Sequence, residues 1–250
     1  MTNASVQFVH SNRSALWTRG LLFAIAAMSL IAILSGLLQA SLLSHAAGGV
    51  GVSPSDASAN DARQQIIGLL QVALLLCTAV AFPIWFYRAH KNLPSLGATD
   101  LKYSPRWAAG GFFVPFLNLV RPFQVMREVW HGSNPATVRV ETDSSFSLSG
   151  LHRDDRTPPL VGWWWGLFLI SNFVGNIAGR LAFRTNPTIS DLQAMTWAQI
   201  FSDILDVPSA IIAARLVGVI HRWQAQRSLI LATHATSTQS PSESALPAKR

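Results

Sequence analysis

Four long apolar runs constrain the fold of this chain more than any other feature of its sequence. Residues 20–54 contain no Asp, Glu, Lys or Arg, and the same is true of residues 66–87 and 160–179. A fourth run, residues 197–220, has a similar length but carries two aspartates, a proline and an arginine. A helix needs about 20 mostly apolar residues to cross a hydrocarbon core of about 30 Å. The runs therefore predict an all-α integral membrane protein with four transmembrane helices.

The composition agrees with a membrane location, since 12% of the residues are charged, against about 25% in an average soluble domain. We predict a single membrane domain over residues 1–231. Its spans are expected at about 20–43, 66–87, 160–180 and 197–220. Residues 232–250 are rich in Ser, Thr, Ala and Pro and lack apolar periodicity, which predicts a disordered C-terminal tail. The first run is longer than the core of a signal peptide, about 7–15 residues, so we interpret it as a span rather than a cleaved signal.

A fifth apolar run, Trp107–Val120, lies between the second and third spans. It is 14 residues long and is interrupted by glycines and by Pro115. Runs of about 10–14 residues are more often re-entrant or interfacial than spanning. The next segment, RPFQVMREVWH, has the periodicity of a short helix with one apolar face and one polar face. We therefore predict a re-entrant or interfacial helix pair over residues 107–131, with a fifth crossing by residues 107–120 as the alternative.

The distribution of Lys and Arg orients the chain. With four spans, 15 of these cations share a side with both termini and 3 lie on the other side, whereas a crossing by residues 107–120 would give 8 and 10. Cytoplasmic loops are enriched in Lys and Arg, which favours four spans with both termini cytoplasmic. The net charge of +7 is thus explained by topology. Because the cations form no compact basic face and belong to no recognised motif, we expect no nucleic-acid partner.

The most distinctive sequence motifs are WFYRAHKNL, which begins at Trp85, and LKYSPRWAAGGFFVPFLNLVRPFQVMREVWHGSNP, which ends at Pro135. These motifs resemble the bacterial family catalogued as domain of unknown function 4328. The resemblance extends, more loosely, over residues 70–227. It implies a bacterial multi-pass membrane protein, and hence the bacterial inner membrane, but it implies no particular activity.

One candidate site lies within the predicted spans. Asn172, Asn176 and Arg180 recur every four residues on one face of the third span, and Asp203 and Asp206 lie about one turn apart in the fourth. An unpaired ion at such a depth costs about 2.5 kcal/mol or more, so we expect Arg180 to pair with one of the aspartates. Intramembrane ions are also candidates for proton or solute passage. The alternative is a salt bridge that only holds the two spans together.

A second candidate site, for anionic lipid headgroups or a protein partner, lies at the predicted cytoplasmic face. It comprises Arg88, Lys91, Asn118, Arg121, Arg127 and Trp130. Juxtamembrane cations attract anionic headgroups by about 1 kcal/mol per charge, and a guanidinium can hold a phosphate with two hydrogen bonds. The alternative roles are topology determination by the cations and anchoring of a broken helix by Arg121 and Trp130.

For function, we interpret the chain as a non-enzymatic membrane protein that acts through partners or lipids at its cytoplasmic face. A small-solute or ion transporter or channel is one alternative, and a membrane enzyme acting on lipid-linked substrates is the other. No catalytic motif or metal-ligand spacing is present, so we expect no catalytic residue, metal or cofactor. The expected partners are the lipid bilayer and a second copy or another membrane protein. A polar, water-connected cavity around Asp203 would favour transport, whereas a buried Arg–Asp pair would favour scaffolding.

Overall fold

Four long helices contain the four predicted spans. The computed structural model describes residues 12–137, 158–182 and 186–239, and no strand occurs among them. The long helices are α1 (Asn12–Ala47), α2 (Pro54–Lys91), α5 (Pro159–Ala182) and α6 (Ile189–Gln239). All four are long and apolar enough to cross a membrane. The prediction of an all-α protein with four membrane-spanning helices is therefore confirmed by their length and composition.

Two short helices lie between α2 and α5, where the sequence predicts a helix pair. They are α3 (Pro105–Gly110) and α4 (Arg121–Ser133), with a 3₁₀ turn at Leu117–Leu119 between them. Six residues are too few to cross a bilayer, so residues 107–120 form no fifth span. The chain changes direction at Phe116, whose φ of 63° is unusual for a residue with a side chain and follows directly after a proline.

The helices extend beyond the predicted spans. At a rise of 1.5 Å per residue, the 38 residues of α2 and the 51 of α6 measure about 57 Å and about 77 Å, more than a hydrocarbon core requires. The C-terminal tail was predicted to begin at residue 232, but α6 continues to Gln239, because no Gly or Pro interrupts the chain before Pro241. The rest of the predicted tail, residues 240–250, lies outside the described residues.

The contacts divide the chain into two compact units where the sequence indicates a single domain. The bundle unit comprises Leu16–Phe82 and Pro158–Val217. The turn unit comprises, among the described residues, 12–15, 83–137 and 218–239. The long helices α2 and α6 contribute to both units, so this division could not appear as a linker in the sequence.

In the bundle unit, α1 buries a face of small side chains. This face includes Ala26, Ser29, Ala32 and Ser35, whereas Leu34 on the opposite face is 65% exposed. A Cβ on Gly36 would come within 2.7 Å of Cγ1 of Ile200 in α6. Small residues at such positions allow transmembrane helices to approach closely, and the exposed leucines suit contact with lipid.

The turn unit has an aromatic and aliphatic core. Its fully buried members include Trp85, Phe86, Leu93, Leu96, Val125, Met126, Val129 and Ile220. The apolar face predicted for α4 is thus confirmed at Met126 and Val129. On the polar face, the side chain of Glu128 is only 7% exposed and contacts His90. The reason is that α4 packs against the end of α2, which brings a hydrogen-bonding partner to this carboxylate.

Candidate functional site

A cleft of about 320 Å³ opens within the bundle unit and contains Asp203. All four long helices contribute to its lining, which is apolar on α1 at Ala32 and on α6 at Met195 and Ile200. Its polar residues are Gln39, Gln64, Gln71, Thr196, Gln199 and Asp203. Ligand pockets commonly have volumes of about 300–1,000 Å³ and place a few polar groups in an apolar wall, so this cleft has the size and character of a small-molecule site.

Asp203 is held at the cleft by two glutamines. Its Oδ1 accepts a hydrogen bond of 2.9 Å from Nε2 of Gln71 on α2, and its Oδ2 accepts one of 3.3 Å from Nε2 of Gln199, one turn earlier on α6. The residue is 1% exposed. A carboxylate held between two amides has a fixed orientation.

Two further glutamines complete the polar lining of the cleft. Nε2 of Gln39 donates to Oγ1 of Thr196 at 3.1 Å, and Nε2 of Gln64 donates to the carbonyl of Ser35 at 3.2 Å. Thus α1 is joined through side chains to both α2 and α6 at the level of the cleft.

The predicted pairing of Arg180 with an aspartate is wrong. Among the described residues, no ion pair joins Arg180 to Asp203 or Asp206. Asp206 instead accepts a hydrogen bond from the hydroxyl of Ser171 on α5, and Arg180 is exposed. The expectation failed because neutral amide and hydroxyl groups donate hydrogen bonds to both carboxylates. The spacing of charged residues along the sequence cannot reveal such neutral partners.

The candidate intramembrane residues consequently separate into two groups. Asn172 and Asn176 are exposed, and the Nδ2 of each donates at 2.7 Å to the carbonyl four residues earlier in α5. They share this outward face with Arg180. Asp203 and Asp206 lie inside the bundle unit, and only Asp203 lines the cleft. The five residues predicted as one site therefore do not form one.

The cations of the second candidate site are also divided. Arg88 and Lys91, at the end of α2, are exposed and line a cavity of about 240 Å³ together with Tyr87 and Asn92. Arg127, on α4, is half-buried and is not among the residues that line this cavity. A pair of exposed cations beside a phenol and an amide can bind an anionic group.

Arg121 is occupied by contacts within the turn unit. Its guanidinium lies 4.8 Å from the ring centre of Tyr103 and 5.1 Å from that of Trp107, and its Nη1 donates to Oε1 of Gln124 at 3.3 Å. Stacking of a guanidinium on aromatic rings is stabilising by about 0.5–2 kcal/mol. Asn118 lies in the 3₁₀ turn that precedes Arg121. These positions support the role of anchoring the break between α3 and α4.

Trp130 has a structural contact too. Its ring meets that of Trp223 on α6 edge to face, with ring centres 4.6 Å apart. Such pairs contribute about 0.5–1.5 kcal/mol beyond the area they bury. Trp130 thus fixes α4 against α6.

A buried polar network, not predicted from the sequence, joins the segments of the turn unit. Nε2 of Gln224 donates to the carbonyl of Ala89 at 2.8 Å and to Oγ of Ser133 at 3.0 Å. Its Oε1 accepts from Nδ2 of Asn92 at 3.4 Å. One side chain of α6 therefore bonds to both α2 and α4.

Arg227, one turn beyond Gln224, extends this network. Its Nε donates to the carbonyl of Leu96 at 2.6 Å, and its Nη1 donates to the carbonyl of Asn134 at 3.0 Å and to Oγ1 of Thr137 at 2.7 Å. The residue is 5% exposed. Its guanidinium joins α6 to two 3₁₀ turns of the chain, one ending at Leu96 and one ending at Thr137.

A family model described as "Domain of unknown function (DUF4328)" matches residues 48–222. The protein belongs to this family. No curated protein and no solved structure matches the chain. The resemblance indicated by the motifs is therefore confirmed, and the DUF4328 match includes α2 to α5 and the cleft residues of α6, whereas α1 lies outside it.

The motif residues of this DUF4328 protein mostly build the turn unit. Trp85 and Ala89 are buried in its core, Asn92 bonds to Gln224, and Glu128 bonds to Nε2 of His90 at 3.2 Å and to the backbone amide of Lys102. The motif thus encodes a packed arrangement of α2, α4 and α6. In its first segment, Arg88 and Lys91 each combine a charge with exposure at a cavity.

Sequence reasoning missed the four glutamines of the cleft. A signal was present, because Gln39 and Gln71 each interrupt an otherwise apolar run, and Gln199 lies one turn from Asp203. Amide side chains within transmembrane helices frequently bond across helices. The transfer of a charged residue into lipid costs more than that of an amide, but here the neutral amides determine the geometry.

Proposed function

We propose that this DUF4328 protein binds a small polar solute within the membrane and carries it across, without a catalytic step. The observation that supports the proposal is the cleft around Asp203, lined by all four long helices. A polar cavity around this aspartate is the feature that distinguishes transport from scaffolding. Among the described residues, Arg180 forms no ion pair with Asp203 or Asp206, and such a pair would support scaffolding.

The orientation that we propose follows from the Lys and Arg distribution. Both termini are cytoplasmic, in a bacterial inner membrane, so the cleft opens in the outer half of the bilayer. Its lining residues on α1 lie toward the C-terminal end of that helix at Ala47. Those on α6 lie toward the N-terminal end of that helix at Ile189.

Water access to the cleft tests this proposal. In a Cys77→Ala background, which removes the one cysteine of the chain, we expect Gln199→Cys to react with a membrane-impermeant methanethiosulfonate reagent added outside intact cells. We expect slower but measurable reaction from inside inverted vesicles, because a carrier must expose its site to both sides. Thiols react as thiolates, which form in water and not in lipid.

The matched control for this experiment is Phe201→Cys, which lies on the same helix, is 51% exposed and does not line the cleft. It should remain unlabelled. Equal reactivity at residues 199 and 201 would contradict the cleft, and reaction from one side only would contradict translocation. Ser145→Cys, expected to react only from the inside, reports the orientation; labelling from outside would overturn four spans with cytoplasmic termini.

Lipid binding at the end of α2 is a second function that we propose, because Arg88 and Lys91 line the same cavity. An anionic headgroup would place its phosphate between the two cations, with the phenol of Tyr87 as a neutral hydrogen-bonding group. This site is separate from the cleft in its residues and in its charge.

The double variant Arg88→Gln/Lys91→Gln tests the lipid site. At about 1 kcal/mol per charge, we expect roughly thirtyfold weaker retention of phosphatidylglycerol relative to phosphatidylcholine. Native mass spectrometry of protein released from mixed vesicles measures the bound lipid. Arg222→Gln, an exposed cation of the same unit that does not line the cavity, should retain wild-type preference. Unchanged retention in the double variant would exclude this site.

A further inference from the structure

We infer that the Asp203 cleft selects a small organic cation with an ammonium or guanidinium head and a short apolar body. This inference rests on the proposed function and gives it a ligand class. It follows from which hydrogen-bonding atoms the cleft leaves for a ligand.

The orientation of two cleft amides is fixed by Asp203. Carboxylate oxygens only accept hydrogen bonds when ionised, so the atoms that face them in Gln71 and Gln199 must be the amide nitrogens. The amide oxygens of both side chains are therefore turned away from Asp203. Among the described residues, no protein group donates to either oxygen.

The other two amides are fixed by different partners. The hydroxyl of Thr196 donates its hydrogen to the carbonyl of Leu192 at 2.8 Å, so it can only accept from Gln39. Gln64 faces the carbonyl of Ser35, which has no hydrogen to give. Both glutamines thus also use their nitrogens as donors within the protein and leave their oxygens as acceptors.

Each of the four amides offers a ligand its oxygen and one N–H that these bonds leave unused, so the carboxylate decides which charge the cleft selects. Four amide oxygens and one carboxylate come from its lining residues, and none of the described lining residues is Lys or Arg. Arg63, which precedes the lining residue Gln64, donates to Oγ of Ser35 at 2.9 Å and to Oδ1 of Asn60 at 2.6 Å, and it does not line the cleft. An anion would meet the like charge of Asp203 with no cation among the described lining residues, whereas a cation with N–H groups can pair with this carboxylate and donate to the amide oxygens.

The size and walls of the cleft favour an organic cation over a bare metal ion. Its volume of about 320 Å³ far exceeds the roughly 30 Å³ that one water molecule occupies in the liquid. Beside the polar groups it presents aliphatic side chains, among them Ile67, Leu192 and Met195. An apolar body attached to the cation would bury against these side chains and tighten binding with each added methylene.

Three planar isosteres, guanidinium, urea and nitrate, test the charge requirement. The full chain is reconstituted in nanodiscs, and binding of radiolabelled guanidinium is measured by scintillation proximity. We expect displacement by unlabelled guanidinium and, at a concentration at least threefold lower, by n-butylguanidinium. Urea and nitrate should not compete. Displacement by nitrate or urea as effective as that by guanidinium would overturn the inference, as would displacement by sodium or potassium ions with no advantage for n-butylguanidinium.

Variants at the two aspartates localise the effect. Asp203→Asn should weaken guanidinium binding at least tenfold, while Asp203→Glu, which keeps the charge, should bind more tightly than Asp203→Asn. Asp206→Asn should bind within threefold of wild type, because Asp206 bonds to Ser171 and does not line the cleft. Equal loss in the Asn and Glu variants of Asp203, or unaltered binding in Asp203→Asn, would contradict recognition by its charge.

Flux through proteoliposomes separates this inference from the proposed function. Guanidinium that binds but moves no faster than through protein-free liposomes would contradict translocation and leave the ligand class standing. Faster movement of urea or nitrate without guanidinium binding would contradict the ligand class and leave translocation standing.

Discussion

Replacing Arg227 by alanine is expected to lower the free energy of unfolding by about 3 kcal/mol or more, since hydrogen bonds to a charged group contribute about 1.5–3 kcal/mol each. Arg227 donates to the carbonyls of Leu96 and Asn134 and to the hydroxyl of Thr137, and the residue is almost fully buried. Alanine would remove all three bonds and leave the carbonyl of Leu96 without this donor, whereas the carbonyl of Asn134 would keep the amide and the hydroxyl of Thr137 as donors. Unfolding of the purified protein by SDS titration in mixed micelles measures the change.

Arg222→Ala is the matched control, because Arg222 lies on the same helix and is exposed. It should change the free energy of unfolding by less than about 0.5 kcal/mol. Arg227→Lys should recover only part of the loss, since an ammonium cannot reproduce the fork of a guanidinium. If Arg227→Ala unfolded like Arg222→Ala, the network would not hold the turn unit together.

A methyl group at Gly36 is expected to have the second largest effect on stability. The Cβ of Gly36→Ala would come within 2.7 Å of Cγ1 and 3.2 Å of Cδ1 of Ile200, so α1 and α6 must separate or Ile200 must change its rotamer. Overpacking of this kind costs about 1–3 kcal/mol. The same SDS titration should show a loss in that range.

Gly20→Ala on the same helix serves as control, because a Cβ there meets no atom within 4 Å. Alanine at this position should leave the stability unchanged or raise it by up to about 1 kcal/mol through helix propensity. In an Ile200→Ala background, the Gly36→Ala substitution should lose its cost, since the two contacting atoms are gone. A cost that persists in that background would show that the close approach to Ile200 is not its cause.

Hydropathy and charge predicted the elements of the fold. Each span is visible as a local run without charges, and the helix pair is visible because Pro115 and the glycines interrupt an apolar segment. Summing hydropathy along each segment is enough to predict these features, since the transfer of a segment into lipid depends on its composition and not on its partners. The extension of α6 to Gln239 was missed because an amphipathic or polar helix beyond the membrane leaves no such signal.

The candidate site was predictable only in part. Asp203 stood out as an ion within an apolar run, but its partner Gln71 lies 132 residues earlier. Arg180 seemed the natural partner by charge, yet the helix turns it outward. Distances between polar groups on different helices depend on the rotation of each helix about its axis. The hydropathy of a span carries almost no information about this rotation.

The sequence by itself determined that this protein has four membrane-spanning helices, a broken helix pair between the second and third, and membership of the DUF4328 family. The tertiary structure decided which polar side chains meet: Gln71 and Gln199 with Asp203 in the cleft, and Gln224 and Arg227 with the turns of the turn unit. The physical reason is that apolar burial is additive along a chain and nondirectional. Hydrogen bonds require particular atoms within about 3 Å of each other, a condition that only packed helices fulfil.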